Sequence, residues 1–274
     1  MIVHLFALGV PAVVAPLGAR LLGRRRDAWA SLAAAAAAIP TFFFGRGALA
    51  AVWVLPWLGV ASSMAIREGR RALTTGQDLA VAAASVFLAG SAASLVASRF
   101  GLTVGRLGEP IIELTAVHYG VAGYGATLLA LSAVRVAAPR RHLLATAGLA
   151  STVAAPPIVA LGFLTAGAVP QVGGAVLLAS GVLITAFVTA VDAAPRSGDR
   201  ITKPLLLISA ASPVAPMALA VLWAAAQHWL VPALDIPSMA RIHGTLNFAG
   251  FVVCGLVGYR RLFVSSRQEV PTCS

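Results

Sequence analysis

The chain has 274 residues, 59% hydrophobic and 11% charged, with a formal net charge of +11. A soluble domain carries about 25% charged residues, so this chain cannot cover a globular surface with solvated side chains. That excludes an ordinary soluble enzyme, a disordered chain and a disulfide-stapled secreted module. A mean hydropathy of +0.90 points instead to an all-α polytopic transmembrane bundle. Cys254 sits in an apolar segment and Cys273 in the C-terminal tail, so the two set no disulfide framework. The positive charge does not mark nucleic-acid binding, which needs basic residues clustered on one solvated face. Here they fall in short runs between apolar stretches, the pattern of topogenic charge facing anionic lipid.

A bilayer core takes about 20 apolar residues per helix. Nine segments qualify in chain order: 2–22, 28–45, 48–66, 79–98, 111–134, 143–166, 172–191, 205–227 and 239–260. The second and third are joined only by Gly45-Arg46-Gly47, and eight spans follow if one of them is re-entrant. Alternating the linkers between two sides tests the count. One side collects Arg20, Arg24, Arg25, Arg26, Arg67, Arg70, Arg71, Arg135, Arg140, Arg141, Arg196, Arg200, Lys203, Arg260, Arg261 and Arg267, sixteen of the 20 basic residues. The positive-inside rule then predicts an outer N-terminus and a cytoplasmic C-terminus. The first segment reads as a retained anchor, because its basic run follows the apolar stretch. One membrane domain over 1–263 and a short cytoplasmic tail over 264–274 are expected. Alanine and glycine in the spans predict close helix packing. Pro156-Pro157 and Pro213-Val214-Ala215-Pro216 predict kinks or breaks.

An ionisable group inside a span is expensive and so a functional candidate. The fifth span carries Glu113 in its first turn and His118 deeper. At 100° per residue Glu113, Gly120 and Tyr124 share a face, and His118 lies about 140° away. The ninth span carries His243 and Asn247 four apart, hence on one stripe, which Gly250 and Cys254 continue. Asp235 and Arg241 flank its start, near enough to pair. His4, Gln171, Gln227 and His228 map to the same outer side. The expectation is a polar cavity in the outer half, lined by the fifth and ninth spans.

Thr115-Ala116-Val117-His118-Tyr119 followed by Ala122-Gly123-Tyr124 resembles a T-A-x-H-(F/Y)-x-x-A-G-(F/Y) motif. Arg241-Ile242-His243-Gly244-Thr245-Leu246-Asn247 followed by Gly250-Phe251 resembles R-x-H-G-x-x-N-x-x-G-F. In this order the two are similar to the YndJ-like family of bacterial multi-span proteins. In size and helical build the chain also resembles small integral-membrane terpene cyclases, without a shared motif.

The leading expectation is an intramembrane enzyme for a lipophilic substrate, by proton-initiated cyclisation of an isoprenoid, a meroterpenoid or an epoxide of either. That chemistry needs a protonated acid in a dry cavity. Glu113 is the first choice and Asp235 the second, with His118, His243 and Asn247 to orient the acid or take the last proton. Tyr119, Tyr124, Trp53, Trp57, Trp223, Phe248 and Phe251 are candidates to stabilise cations, and Arg241 joins them as a substrate-binding residue. No Asp-rich motif for a metal-bound diphosphate is present, so no metal and no cofactor are expected. The expected partners are the substrate and membrane lipid, with no obligate protein. Alternatives are proton-coupled transport through Glu113 and His118, or a haem or metal held by His118 and His243.

Overall fold

The computed structural model describes residues 2–76 and 78–268, and no strand occurs among them. Among the described residues seven helical segments are long and apolar enough to cross a membrane. They are α1 (Ile2–Leu21), α5 (Leu79–Phe100), α6 (Ile111–Val136), α7 (Pro139–Thr165), α8 (Ala168–Arg196), α9 (Thr202–Ala226) and α10 (Ile236–Ser265). Between α1 and α5 lie α2 (Arg25–Ala38) with a 3-10 turn Ile39–Phe43, a short α3 (Ala48–Val52) and α4 (Leu55–Thr75). These cover the second and third expected spans but carry Arg25, Arg26 and Asp27, and Arg67, Glu68, Arg70 and Arg71, within the helices.

That hairpin still runs from one end of the bundle to the other. At one end Arg24 pairs with Glu68, and Arg67 with Asp27 at 2.6 Å. At the other, the Gly47 N–H donates to Arg99 O at 2.9 Å. The Arg99 guanidinium also donates to the Thr41 and Phe44 carbonyls at 2.8 and 2.9 Å. The nine expected segments thus divide into seven apolar spans and the two arms of a partly charged hairpin.

Ion pairs stitch the basic linkers together. Arg24 holds Glu68, Arg135 lies 4.0 Å from Asp78, Arg141 binds Asp192, and Arg261 meets Asp199 at 2.7 Å. Each pair joins one linker to another, so all five basic linkers gather at one end. The opposite end holds Arg46 with Glu109 at 3.4 Å, His4 with Glu113, and His228 with Gln171 at 2.9 Å. This is the two-sided grouping that the charge pattern predicts.

Small residues set the packing. A Cβ at Gly162 would stand 2.4 Å from the Gln171 backbone nitrogen, and one at Gly181 would stand 2.8 Å from the Gly148 carbonyl oxygen. α7 and α8 therefore touch backbone to backbone, as tight membrane helix pairs do. Pro156-Pro157 lies inside α7 without ending it, whereas a turn at Ser212-Pro213 interrupts α9. α10 continues to Gln268, into the expected tail. Cys273 and the rest of that tail lie outside the described residues.

Several helices widen locally into π turns. α1 does so at Val10–Val14, α6 at Tyr119–Gly125, α8 at Thr189–Ala193, and α10 at Ala240–Gly244 and Leu246–Val253. A π turn closes i→i+5 bonds and is frequent at functional sites. The two sequence motifs fold into three of them.

Candidate functional site

A cavity of about 580 Å³ lies between the helices. All seven apolar spans contribute to its wall, and the α2–α4 hairpin contributes nothing. Among the described residues no Asp, Glu, Lys or Arg lines it. Its volume falls in the range of about 300–1,000 Å³ usual for small-molecule sites.

The wall is built where glycine lets helices approach. Gly120 leaves room for Val10 of α1, Gly123 for Phe87 of α5, and Gly125 for Val252 of α10. His118 precedes that glycine-rich π turn directly. His243 sits in the first π turn of α10 and Asn247 in the second. Both histidines lie seven residues into their spans. At 1.5 Å per residue that is roughly 10 Å deep, in the outer third of a 30 Å core.

The two imidazole rings face each other with centroids 6.2 Å apart and planes 28° apart. His118 Nδ1 lies 2.8 Å from the Leu114 carbonyl oxygen. His243 Nδ1 lies 2.9 Å from the Pro216 carbonyl oxygen. A carbonyl only accepts, so in the neutral rings both Nδ1 atoms carry the proton and both Nε2 atoms present a lone pair. Asn247 Nδ2 donates to His243 Nε2 at 3.2 Å. That is the i, i+4 contact expected from their spacing. His118 Nε2 has no protein partner among the described residues, and the ring is open to the cavity.

Of the proposed chemistry-bearing residues, the structure brings together His118, His243 and Asn247, with Tyr119, Trp223, Phe248 and Phe251 on the same wall. Tyr119 stacks on Phe87 at 5.9 Å, Trp223 lies against Phe163 at 6.2 Å, and Phe248 against Phe6 at 5.3 Å.

The others lie elsewhere. Glu113 is buried at 3% exposure, but it faces His4 of α1 and not the cavity. Asp235 is exposed and caps the first turn of α10, accepting the Ser238 N–H at 2.8 Å. Hydrogen bonds from the Ser238 hydroxyl and N–H hold its carboxyl below the usual carboxylate range, so it is ionised and no proton donor at neutral pH. Arg241 is exposed, off the cavity, and makes no ion pair with Asp235 within 4 Å. Tyr124 is fully buried, with its hydroxyl donating to Ala15 O at 3.4 Å. Trp57 is fully buried in α4 and Trp53 is exposed on the outside of the hairpin start, both away from the cavity. Gly250 does not widen the cavity, because Ser212 of α9 fills the space beside it.

Sequence reasoning missed Thr115, Phe6, Phe163 and Met217, which also line the site. Thr115 had a signal: it stands three residues before His118, on the same helical face. The other three lie on helices that carry no polar landmark at that level.

Fold and site together define a polytopic helical membrane protein enclosing an uncharged cavity with two imidazoles on its wall. The model of the YndJ-like protein family matches residues 4–251. The chain belongs to that family. No curated protein and no solved structure matches it.

Proposed function

We propose that the chain is an intramembrane enzyme of a bacterial plasma membrane that moves a proton on a neutral lipophilic substrate. The observation that carries this is the His118 imidazole. It is anchored through Nδ1 to a main-chain carbonyl and presents a free Nε2 to an apolar, uncharged cavity. A fixed imidazole with one free nitrogen is the usual general base, and an isomerisation returns the proton at a second atom without redox change. His243 and Asn247 act as positioning residues, since the Asn247 amide occupies His243 Nε2. Tyr119, Trp223, Phe248 and Phe251 supply the apolar and aromatic wall that the substrate needs. The narrower expectation, cyclisation started by protonated Glu113 or Asp235, is set aside, because neither carboxyl reaches the cavity.

The test is product analysis by mass spectrometry. Membranes holding the chain are given a panel of prenylated aromatics and their epoxides in deuterated water. The expected result is an isomer of the substrate, carrying deuterium, formed by the wild type and by Glu113→Gln and absent with His118→Ala. A panel that the wild type leaves unchanged and unlabelled overturns the enzyme reading. A compound carried unchanged across vesicles would favour transport instead.

A further inference from the structure

We infer that the cavity ligand is a hydrogen-bond donor, a lipophilic alcohol or phenol, whose hydroxyl is received by His118 Nε2. This rests on the cavity's being a ligand site, as proposed above. The polar atoms on its wall are few and can be accounted for one by one. His118 spends its N–H on Leu114 O and leaves a lone pair. Thr115 spends its hydroxyl hydrogen on Ile111 O at 2.8 Å and likewise leaves only lone pairs. His243 has its N–H on Pro216 O and its Nε2 on Asn247. Gln171 has its carbonyl oxygen on His228, and its buried amide nitrogen has no partner among the described residues, so it stands as a donor.

The Tyr119 and Ser94 hydroxyls both donate and accept, and so does the remainder of the Asn247 amide, so none of them selects a ligand type. What remains with a fixed sense is two acceptors, on His118 and Thr115, three residues apart on α6, and two donors, the Gln171 amide and the Trp223 indole N–H. A hydroxyl, which donates and also accepts, can serve both kinds. A ligand that only accepts leaves the α6 pair desolvated and unmet, which is costly in an apolar site. The missing Lys and Arg on the wall exclude phosphorylated ligands, which would have no counter-charge there.

The probes are 4-geranylphenol and its methyl ether, alike in shape but differing in the donor hydrogen. They are titrated against the full chain in lipid nanodiscs. The wild type is expected to bind the phenol about tenfold more tightly, the effect of one hydrogen bond with a buried acceptor. His118→Leu should bring the ratio to about one by weakening the phenol alone. Unchanged ether binding shows that the variant is folded. His118→Gln keeps an acceptor and should keep most of the preference, and Thr115→Val should lower it in part.

Equal wild-type affinity for both probes overturns the inference and leaves the cavity as a ligand site. So does a preference that survives His118→Leu. Binding of neither probe above partition into empty nanodiscs overturns both. Phenol preference without deuterium exchange into the probe upholds the donor inference and removes proton transfer.

Discussion

The ends of the bundle and the cavity between its helices treat ionisable groups in opposite ways. At the arginine-rich end the buried acids are locked to arginines: Glu68, at 1% exposure, has Arg24, Arg67 and Arg71 around it, and Asp192 has Arg141. At the other end Glu113 is locked to His4 in the same manner. A few residues deeper, His118 keeps a nitrogen free beside an uncharged cavity. A buried charge is retained only when partnered, so the partnered groups serve the fold. The group whose reactive atom is left unpartnered is the one available for chemistry. Glu113 and His118, five residues apart on one helix, fall on opposite sides of that division.

Substitutions can break or sharpen the contrast. The largest loss of stability is expected for Arg24→Ala, which strips a partner from buried Glu68. Breaking a buried pair costs about 3 kcal/mol or more, and thermal unfolding in detergent would read it. Gly162→Ala should follow at about 1–3 kcal/mol, because the new methyl meets the Gln171 backbone, which cannot rotate away.

Asp199→Asn should cost less, since the Asp199 pair is partly exposed. Hydrogen bonds from Thr202 and Arg261 hold the Asp199 carboxyl well below its ordinary value. A depressed folded value means stability that is present above the unfolded carboxylate value of about 4 and fades as pH falls below it. Wild type and variant should therefore differ at neutral pH and converge in acid.

His118→Ala should change stability by no more than about 0.5 kcal/mol while removing the proposed proton transfer, as befits a ring that borders the cavity. A His118→Ala protein as unstable as Arg24→Ala would erase the distinction between the partnered groups and the cavity imidazole.

Much of this was legible in the chain, and the failures have physical causes. Hydropathy placed the spans, and arginine placement sorted the linkers into two sides, because both follow from the bilayer as solvent. The α2–α4 hairpin reads in sequence as two ordinary apolar spans because of its alanines, while its terminal charges extend into the helices. His118, His243 and Asn247 stood out as polar residues among small apolar ones. The shared face of Glu113, Gly120 and Tyr124 was also right: all three meet α1, through His4, Val10 and Ala15. Periodicity puts a residue on a face but does not say which helix covers that face. The partner of Glu113 lies 109 residues away, so its seclusion from the cavity needed the tertiary structure. Trp53 and Trp57 failed for the same reason, one turn apart on a hairpin that never reaches the site.

The π turn at Tyr119–Gly125 has a bearing on how the chain tolerates changes in length. A wide turn holds one residue more than the α-helix needs. Removing a single residue between Gly120 and Gly125 would let α6 close as a regular helix with no bond lost. Because the wide turn absorbs that extra residue locally, the segment above it, with Glu113 and His118, would keep its facing against the half below. A single deletion in a regular α-helical turn of α6 has no spare residue to give up and would swing the two halves by about 100°. The stretch from Gly120 to Gly125 is thus a place where the helix can change length without moving the imidazole.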